Sequence, residues 1–245
     1  MNVMDRDYTY GKQSIDSSDI ESIIESIKSG WLTQGPNVDE FEKNLKNRFN
    51  VQQVVAVANG TAALHLLGLA CKWGGGDIVI TSPITFLASA NCALYSGARP
   101  DFCDIDPQSY TICPARLEEK LKKYQKSNKR VKAVVAVDFA GHPCEWDDLR
   151  QLADHYNFQL IDDACHALGA LYKGKEICSS TWADAVVLSF HPVKTITTGE
   201  GGAVLTNQTE IADRVKLLRT HGITKDPHKM EKNDGPWYYE MHELG

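Results

Sequence analysis

The stretch "VVAVANGTAALHLLGLACKW", residues 54–73, decides the fold class. A short β-branched run at 54–58 passes through Asn59-Gly60-Thr61 into a segment whose Ala, Leu and His recur at helical spacing after a Gly-Thr start. A strand running straight into a helix is half of a βαβ unit.

The same alternation continues along the chain. "DIVITSP" (77–83) precedes "TFLASANCALYSG", and "RPDFCDID" (99–106) precedes a helix expected from about Pro114 to Lys126. "VKAVVAVD" (131–138) leads through the turn "FAGHP" into the amphipathic "EWDDLRQLADHYN", and "FQLIDDA" (158–164), "DAVVLSF" (184–190) and "GGAVLTN" (201–207) complete the series. Short β-branched runs separated by helices predict an α/β fold, a mostly parallel sheet covered by helices on both faces. Ahead of it, "SSDIESIIESIKSG" reads as a helix capped by Ser17 or Ser18 and ended by Gly30.

With 245 residues, 42% hydrophobic and 24% charged, the chain can bury a full core. A net charge of -6 gives no general attraction to nucleic acid or anionic membrane, so small solutes are the expected partners. The Met1 region has no apolar core of a leader and no run has the length of a membrane span, which predicts a cytoplasmic protein. Seven cysteines without CxxC spacing read as reduced thiols packed as small hydrophobes, and the close His/Cys pair in His142-Pro143-Cys144 makes a poor metal site. The seven cations of "KLKKYQKSNKRVK" (120–132) read as a solvated helix face rather than a phosphate surface.

In parallel α/β sheets ligands lie at the carboxyl ends of the strands. Polar residues collect there: Asn59-Gly60-Thr61, Thr85-Phe86, Asp138, Asp162-Asp163 with His166, and Ser189 with Lys194. Gly60 and Thr61 at a helix start suit a phosphate, although a helix cap that binds nothing reads the same way. Neither a Walker motif nor GxGxxG is present, which disfavours those nucleotide cradles. Asp163 closes an apolar strand, where a carboxylate needs a cationic or hydrogen-bonding partner such as a pyridinium nitrogen; the alternative is a cap for the "ACHALG" turn. Taken alone, His166 and Phe86 read as packed core residues; for Phe86, its place at a strand end beside the other residues favours instead a flat aromatic that stacks on a ring. Lys194 follows a buried strand, a setting that can make a lysine amine nucleophilic toward a carbonyl. A phosphate site, a flat aromatic, a carboxylate and a lysine together meet the needs of pyridoxal 5'-phosphate (PLP).

"SFHPVKTITTGEGGAVLTN", "LIDDACHALGA", "NGTAAL", "TSPITFLASAN", "WLTQGPNVDEFE" and "LRTHGITKD" resemble the DegT/DnrJ/EryC1/StrS sugar aminotransferases, from about Tyr8 onward. The resemblance implies the PLP-dependent transferase fold type I large domain at 36–245, preceded by a segment, 1–35, that contributes to the active site. It implies that Lys194 holds PLP as a Schiff base, Asp163 pairs with the pyridine nitrogen, His166 lies near the ring and Phe86 stacks on it. Gly60, Thr61 and Ser189 would contact the cofactor phosphate, and Tyr10, Gly30, Trp31, Leu32 and Thr33 the sugar substrate.

The implied reaction moves an amino group from L-glutamate to C4 of a UDP-linked 4-keto-6-deoxy-N-acetyl-hexosamine, as in pseudaminic acid biosynthesis. Lys194 would carry the proton between substrate Cα and cofactor C4'. The relatives that make perosamine or 4-amino-arabinose are the alternative within the family, and a non-catalytic PLP-fold binding module the alternative outside it. Related sugar dehydratases replace the lysine by histidine; lysine here favours amino transfer. Family members share their sites in a homodimer and continue beyond "ELG" into a smaller C-terminal domain. The chain ending at Gly245 is therefore expected to lack that domain and to be weakly active or inactive alone.

Overall fold

A computed structural model of the protein describes residues 11–232 and 234–245. Tyr10 lies outside the described residues. In chain order the helices are α1 (Ser17–Lys28), α2 (Pro36–Phe49), α3 (Gly60–Ala70), α4 (Ala88–Tyr95), α5 (Pro114–Lys126), α6 (Trp146–Tyr156) and α7 (Thr209–Arg219). The strands are β1 (Gln53–Val57), β2 (Ile78–Thr81), β3 (Arg99–Phe102), β4 (Val131–Val137), β5 (Gln159–Asp163), β6 (Leu171–Tyr172), β7 (Lys175–Glu176), β8 (Ala185–Ser189), β9 (Gly202–Thr206), β10 (Ile223–Thr224) and β11 (Glu240–Met241).

Seven strands form the main sheet in the order β1-β9-β8-β5-β4-β2-β3. The β8–β5, β5–β4, β4–β2 and β2–β3 pairs are parallel, whereas β9 runs antiparallel to both β1 and β8. The expected mixed, mostly parallel sheet is therefore present, and β9 accounts for the mixing. Its reversal follows from the tight loop after β8, which returns the chain directly instead of through a crossover helix.

Both faces of the sheet are buried, and successive residues supply opposite faces. Val54, Ile80, Val134, Ala136, Leu160, Val186, Leu188 and Leu205 pack toward α2, α5 and α6. Val55, Val79, Val135, Ile161, Val187 and Val204 pack toward α3, α4 and α7. The inner strands read as continuous apolar runs because neither parity meets water, whereas the edge strand β3 has no buried residue.

Details at the helix ends decide two local readings. The cap of α1 is Asp16 rather than Ser17 or Ser18: its carboxylate accepts from the Ser18 and Asp19 backbone N–H groups, and Asp19 returns a bond to the Asp16 backbone N–H. A carboxylate reaches two amides where a hydroxyl reaches one. Gly30, at φ +84°, takes the left-handed position just past the end of α1. None of the residues of α1 is buried, although Ile20, Ile23, Ile24 and Ile27 lie along it.

The cysteines are free thiols. Burial pushes Cys71 and Cys92 up to about 12, the behaviour of packed apolar groups. Three cations of the basic segment and its helix pair locally: Lys120 with Asp101, Lys122 with Glu118, Arg116 with Glu119. Among the described residues no helix is long and apolar enough to cross a membrane.

Candidate active site

The carboxyl ends of β1, β5 and β8 bring the sequence-singled residues to one edge of the sheet. At β1, Asn59 caps α3: its side-chain oxygen accepts from the Ala62 N–H at 2.8 Å and its carbonyl from Ala63 N–H at 3.0 Å. The N–H groups of Gly60 and Thr61, in the first turn, have no carbonyl one turn back and donate to no protein group among the described residues. Two free donors at the positive end of a helix form an anion cradle.

Ser189, the last residue of β8, closes that cradle. A Cβ on Gly60 would stand 3.0 Å from Ser189 Cβ and 3.1 Å from Cys165 Sγ, so only glycine lets β8 and the turn after β5 approach α3 this closely. On the other side, a Cβ on Gly202 would lie 2.5 Å from the Asn59 carbonyl carbon. The glycines at both positions serve close approach, not unusual dihedrals.

Lys194 sits, half-buried, in the loop between β8 and β9. Phe190, at 1% exposure, anchors the loop at its base against the ring of Phe41, edge to face at 5.3 Å. The Phe190 N–H donates to the Gly201 carbonyl, and the Phe190 carbonyl accepts from Thr198 N–H and Thr197 Oγ1. These bonds cinch the two ends together, while the Lys194 N–H donates to the His191 carbonyl at 2.9 Å. The lysine therefore projects from a short, internally bonded loop and not from a free one. Gly11 reaches the same loop, its α-carbon facing Val193.

Asp163 ends β5 on the face of α3 and α4. Its Oδ2 accepts from Ser89 Oγ at 2.6 Å and its Oδ1 from the Cys165 N–H at 3.4 Å. His166, in the turn that follows, accepts the Ala140 N–H on Nδ1 at 3.3 Å, which leaves Nε2 to carry the proton of the neutral ring. Burial, then the nearby Lys194 cation, holds the imidazole below its ordinary value, with Asp163 pulling the other way. The left-handed backbone of Ala140, at φ 54°, presents that N–H, and Phe139 stands beside the imidazole at 6.4 Å.

Behind these groups lies a second carboxyl pair. Asp138 and Asp162 are fully buried on the opposite face of the sheet, each with one oxygen that has no hydrogen-bond partner among the described residues. Burial drives Asp138 up to about 7 against the bond it accepts from Cys144 N–H, and Asp162 well up, chiefly by burial and then by Asp138. Of the two adjacent aspartates, Asp163 is therefore the one turned toward Lys194 and His166.

Phe86 is 69% exposed, one residue after Thr85 in the turn leading to α4. Its ring is open at the rim and not part of the core. Gly30, Trp31, Leu32 and Thr33 follow α1; Trp31 packs on Gly35 and its N–H donates to Ser29 Oγ. Among the described residues none of their hydrogen bonds reaches the Lys194 loop. Sequence reading missed Ser89, Cys165 and the capping role of Asn59. The signal for Ser89 was a hydroxyl in an otherwise apolar helix start, four residues after Thr85.

Residues 13–244 match the DegT/DnrJ/EryC1/StrS aminotransferase family. The chain belongs to that family. A UDP-4-amino-4,6-dideoxy-N-acetyl-beta-L-altrosamine transaminase of Campylobacter jejuni is 45% identical over 221 residues, covering 89% of this chain and 56% of that protein. Among solved structures, Helicobacter pylori PseC, an aminotransferase involved in the biosynthesis of pseudoaminic acid, superposes with a TM-score of 0.85 at 32% identity over 98% of this chain and 61% of that one. The sugar aminotransferase Spr1654 of Streptococcus pneumoniae, in a PMP form, gives 0.84 at 28% identity over 97% and 63%; it is also solved in a PLP form. The chain thus spans less than two thirds of the length of these family members.

Proposed function

We propose that residues 36–245 form the PLP-binding domain of a nucleotide-sugar aminotransferase, with residues 1–35 contributing to its active site. The observation that supports this reading is the convergence of the Gly60–Thr61–Ser189 cradle, Asp163 and Lys194 on one sheet edge. The groups present fit the cofactor. Two free N–H donors and two hydroxyls suit its phosphate, a buried carboxylate its ring nitrogen, and a loop-held amine its carbonyl.

When bound, the cofactor supplies an electrophilic carbonyl carbon and an electron-withdrawing ring. The chain supplies the rest. Gly60, Thr61 and Ser189 bind the dianion through the helix end. Asp163 keeps a proton on the ring nitrogen by charge. The Lys194 amine, freed from the cofactor, would take the proton from substrate Cα and deliver it to the cofactor's C4', and would do the reverse in the second half-reaction. The neutral His166 ring, with its proton on Nε2, offers a donor without adding a second cation beside Lys194. Phe86 is assigned the face of the ring.

The amino donor is assigned as L-glutamate and the acceptor as a UDP-linked 4-keto-6-deoxy-N-acetyl-hexosamine, giving the 4-amino sugar of the pseudaminic acid route. The identity to the Campylobacter transaminase favours this acceptor. Tyr10 and the segment Gly30–Thr33 are assigned to the sugar, in a homodimer working in the cytoplasm. Single-turnover spectroscopy tests the proposal. L-glutamate should bleach the visible band of the PLP-loaded protein, and the UDP-linked 4-keto sugar should restore it where a GDP-linked 4-keto sugar does not. Restoration by the GDP sugar alone would transfer the assignment to perosamine-type chemistry, and a protein that forms no visible band with PLP would end it.

A further inference from the structure

The two oxygens of Asp163 are held very differently. Oδ2 accepts a 2.6 Å bond from Ser89 Oγ, and Ser89 is completely buried. Oδ1 accepts a longer bond, 3.4 Å, from the Cys165 N–H, and the Cys165 thiol lies within reach of the same carboxylate. A serine has one proton, and a carboxylate can only accept, so that proton is committed to Asp163. The Thr85 hydroxyl, 2.7 Å from Ser89 Oγ, must then be the donor in the second bond. The result is a directed chain, Thr85 to Ser89 to Asp163 Oδ2, running from the turn before α4 into the sheet.

Packing does not explain this hydroxyl. The buried neighbours of Ser89 on α4 are Ala88, Cys92 and Ala93, and alanine at 89 would fill the same space without burying a polar atom. We propose that Ser89, itself oriented by Thr85, is a positioning residue of the site: it fixes Asp163 through Oδ2 and leaves Oδ1 to accept the N–H of the cofactor's ring nitrogen. This rests on the reading of Asp163 as the ring partner.

The test is a PLP titration of the protein followed by its visible band, with the pH midpoint of that band measured for each variant. Ser89→Ala should weaken PLP binding about tenfold, as expected for loss of a hydrogen bond to a charged group. It should also move the midpoint upward, because a loosely held Asp163 keeps the ring less positive and the attached nitrogen more basic. Thr85→Val, at a half-buried turn position where folding is not at stake, should move both in the same direction by about threefold in affinity, and should add nothing in the Ser89→Ala background. Wild-type binding with unchanged affinity and midpoint in Ser89→Ala, or in Thr85→Val, would overturn the positioning role while leaving the cofactor site standing. A wild-type protein that gives no visible band would overturn the cofactor reading and this inference with it.

Discussion

Gly60 and Ser189, 129 positions apart in the chain, touch so closely that a Cβ on the glycine would sit 3.0 Å from the serine Cβ. The contact joins the start of α3 to the end of β8 and so builds the phosphate cradle from two distant segments. Gly60→Ala should push Ser189 and the Cys165 sulfur away by a few tenths of an ångström. The expected outcome is PLP affinity reduced about tenfold with folding stability lowered by only about 1 kcal/mol, the mild end of overpacking costs. Equilibrium titration with PLP and urea denaturation check the two numbers separately.

Gly202 is the structural counterpart. Its missing Cβ would fall 2.5 Å from the carbonyl carbon and 2.6 Å from the carbonyl oxygen of Asn59, both backbone atoms that cannot swing aside. Gly202→Ala should therefore cost about 3 kcal/mol or more and split β1 from β9 at that end. A thermal midpoint within a degree or two of wild type would contradict the close approach.

Much of this arrangement was open to sequence reading. The helix Pro114–Lys126 is marked at both ends, by a proline that suits the first helical position and by cations in the last turn, and it forms over those residues. The inner strands β2, β4, β8 and β9 showed themselves because both faces are buried and the runs are mostly apolar. α2 did not, since its apolar residues Val38, Phe41, Leu45 and Phe49 are spaced along a mostly polar helix that begins with Gly-Pro. The strand order was also hidden, because pairing of β1 with β9 depends on contacts between segments about 150 residues apart, and the antiparallel turn of β9 is set by the loop geometry. In the site, the residues at strand ends were legible by position. Ser89 was not: it lies 74 residues from the carboxylate it serves, inside a helix, where a serine is usually unremarked.

The imidazole of His166 reports the neighbourhood of the lysine without any cofactor. Burial and the Lys194 cation lower its titration, and Asp163 raises it. In the cofactor-free protein, Lys194→Ala should move the His166 midpoint upward and Asp163→Asn should move it further down. Imidazole proton shifts followed by NMR across the range around pH 6 read both signs. Unchanged midpoints in both variants would separate these three residues.

Stability should fall as pH rises from about 4 to about 7, because of the buried Asp138–Asp162 pair. Asp138 is held up to about 7 in the folded chain against 3.8 as its ordinary value, so the native state binds more protons than the unfolded one in that window. The stabilisation is present at the acid side and is lost as pH passes through the folded value. Asp138→Asn keeps an acceptor for the Cys144 N–H and removes the ionisable group from the buried pair. It should flatten the profile, with a gain on the order of a few kcal/mol near neutral pH. Urea melts at pH 5 and pH 7.5 compare the two proteins.

Asp163→Asn preserves the Ser89 bond in shape and removes the charge. Loss of the ring-nitrogen proton should reduce the glutamate half-reaction by at least about 100-fold while PLP still binds. Stopped-flow bleaching of the visible band provides the rate.

The central claim is that Lys194 is the residue to which the cofactor attaches. Reduction of the PLP-loaded protein with borohydride, followed by peptide mass analysis, tests it most directly. The account predicts one phosphopyridoxyl group, on the peptide that carries Lys194, and none in Lys194→Ala. A label confined to another lysine, or equal labelling of the Lys194→Ala protein, would contradict it.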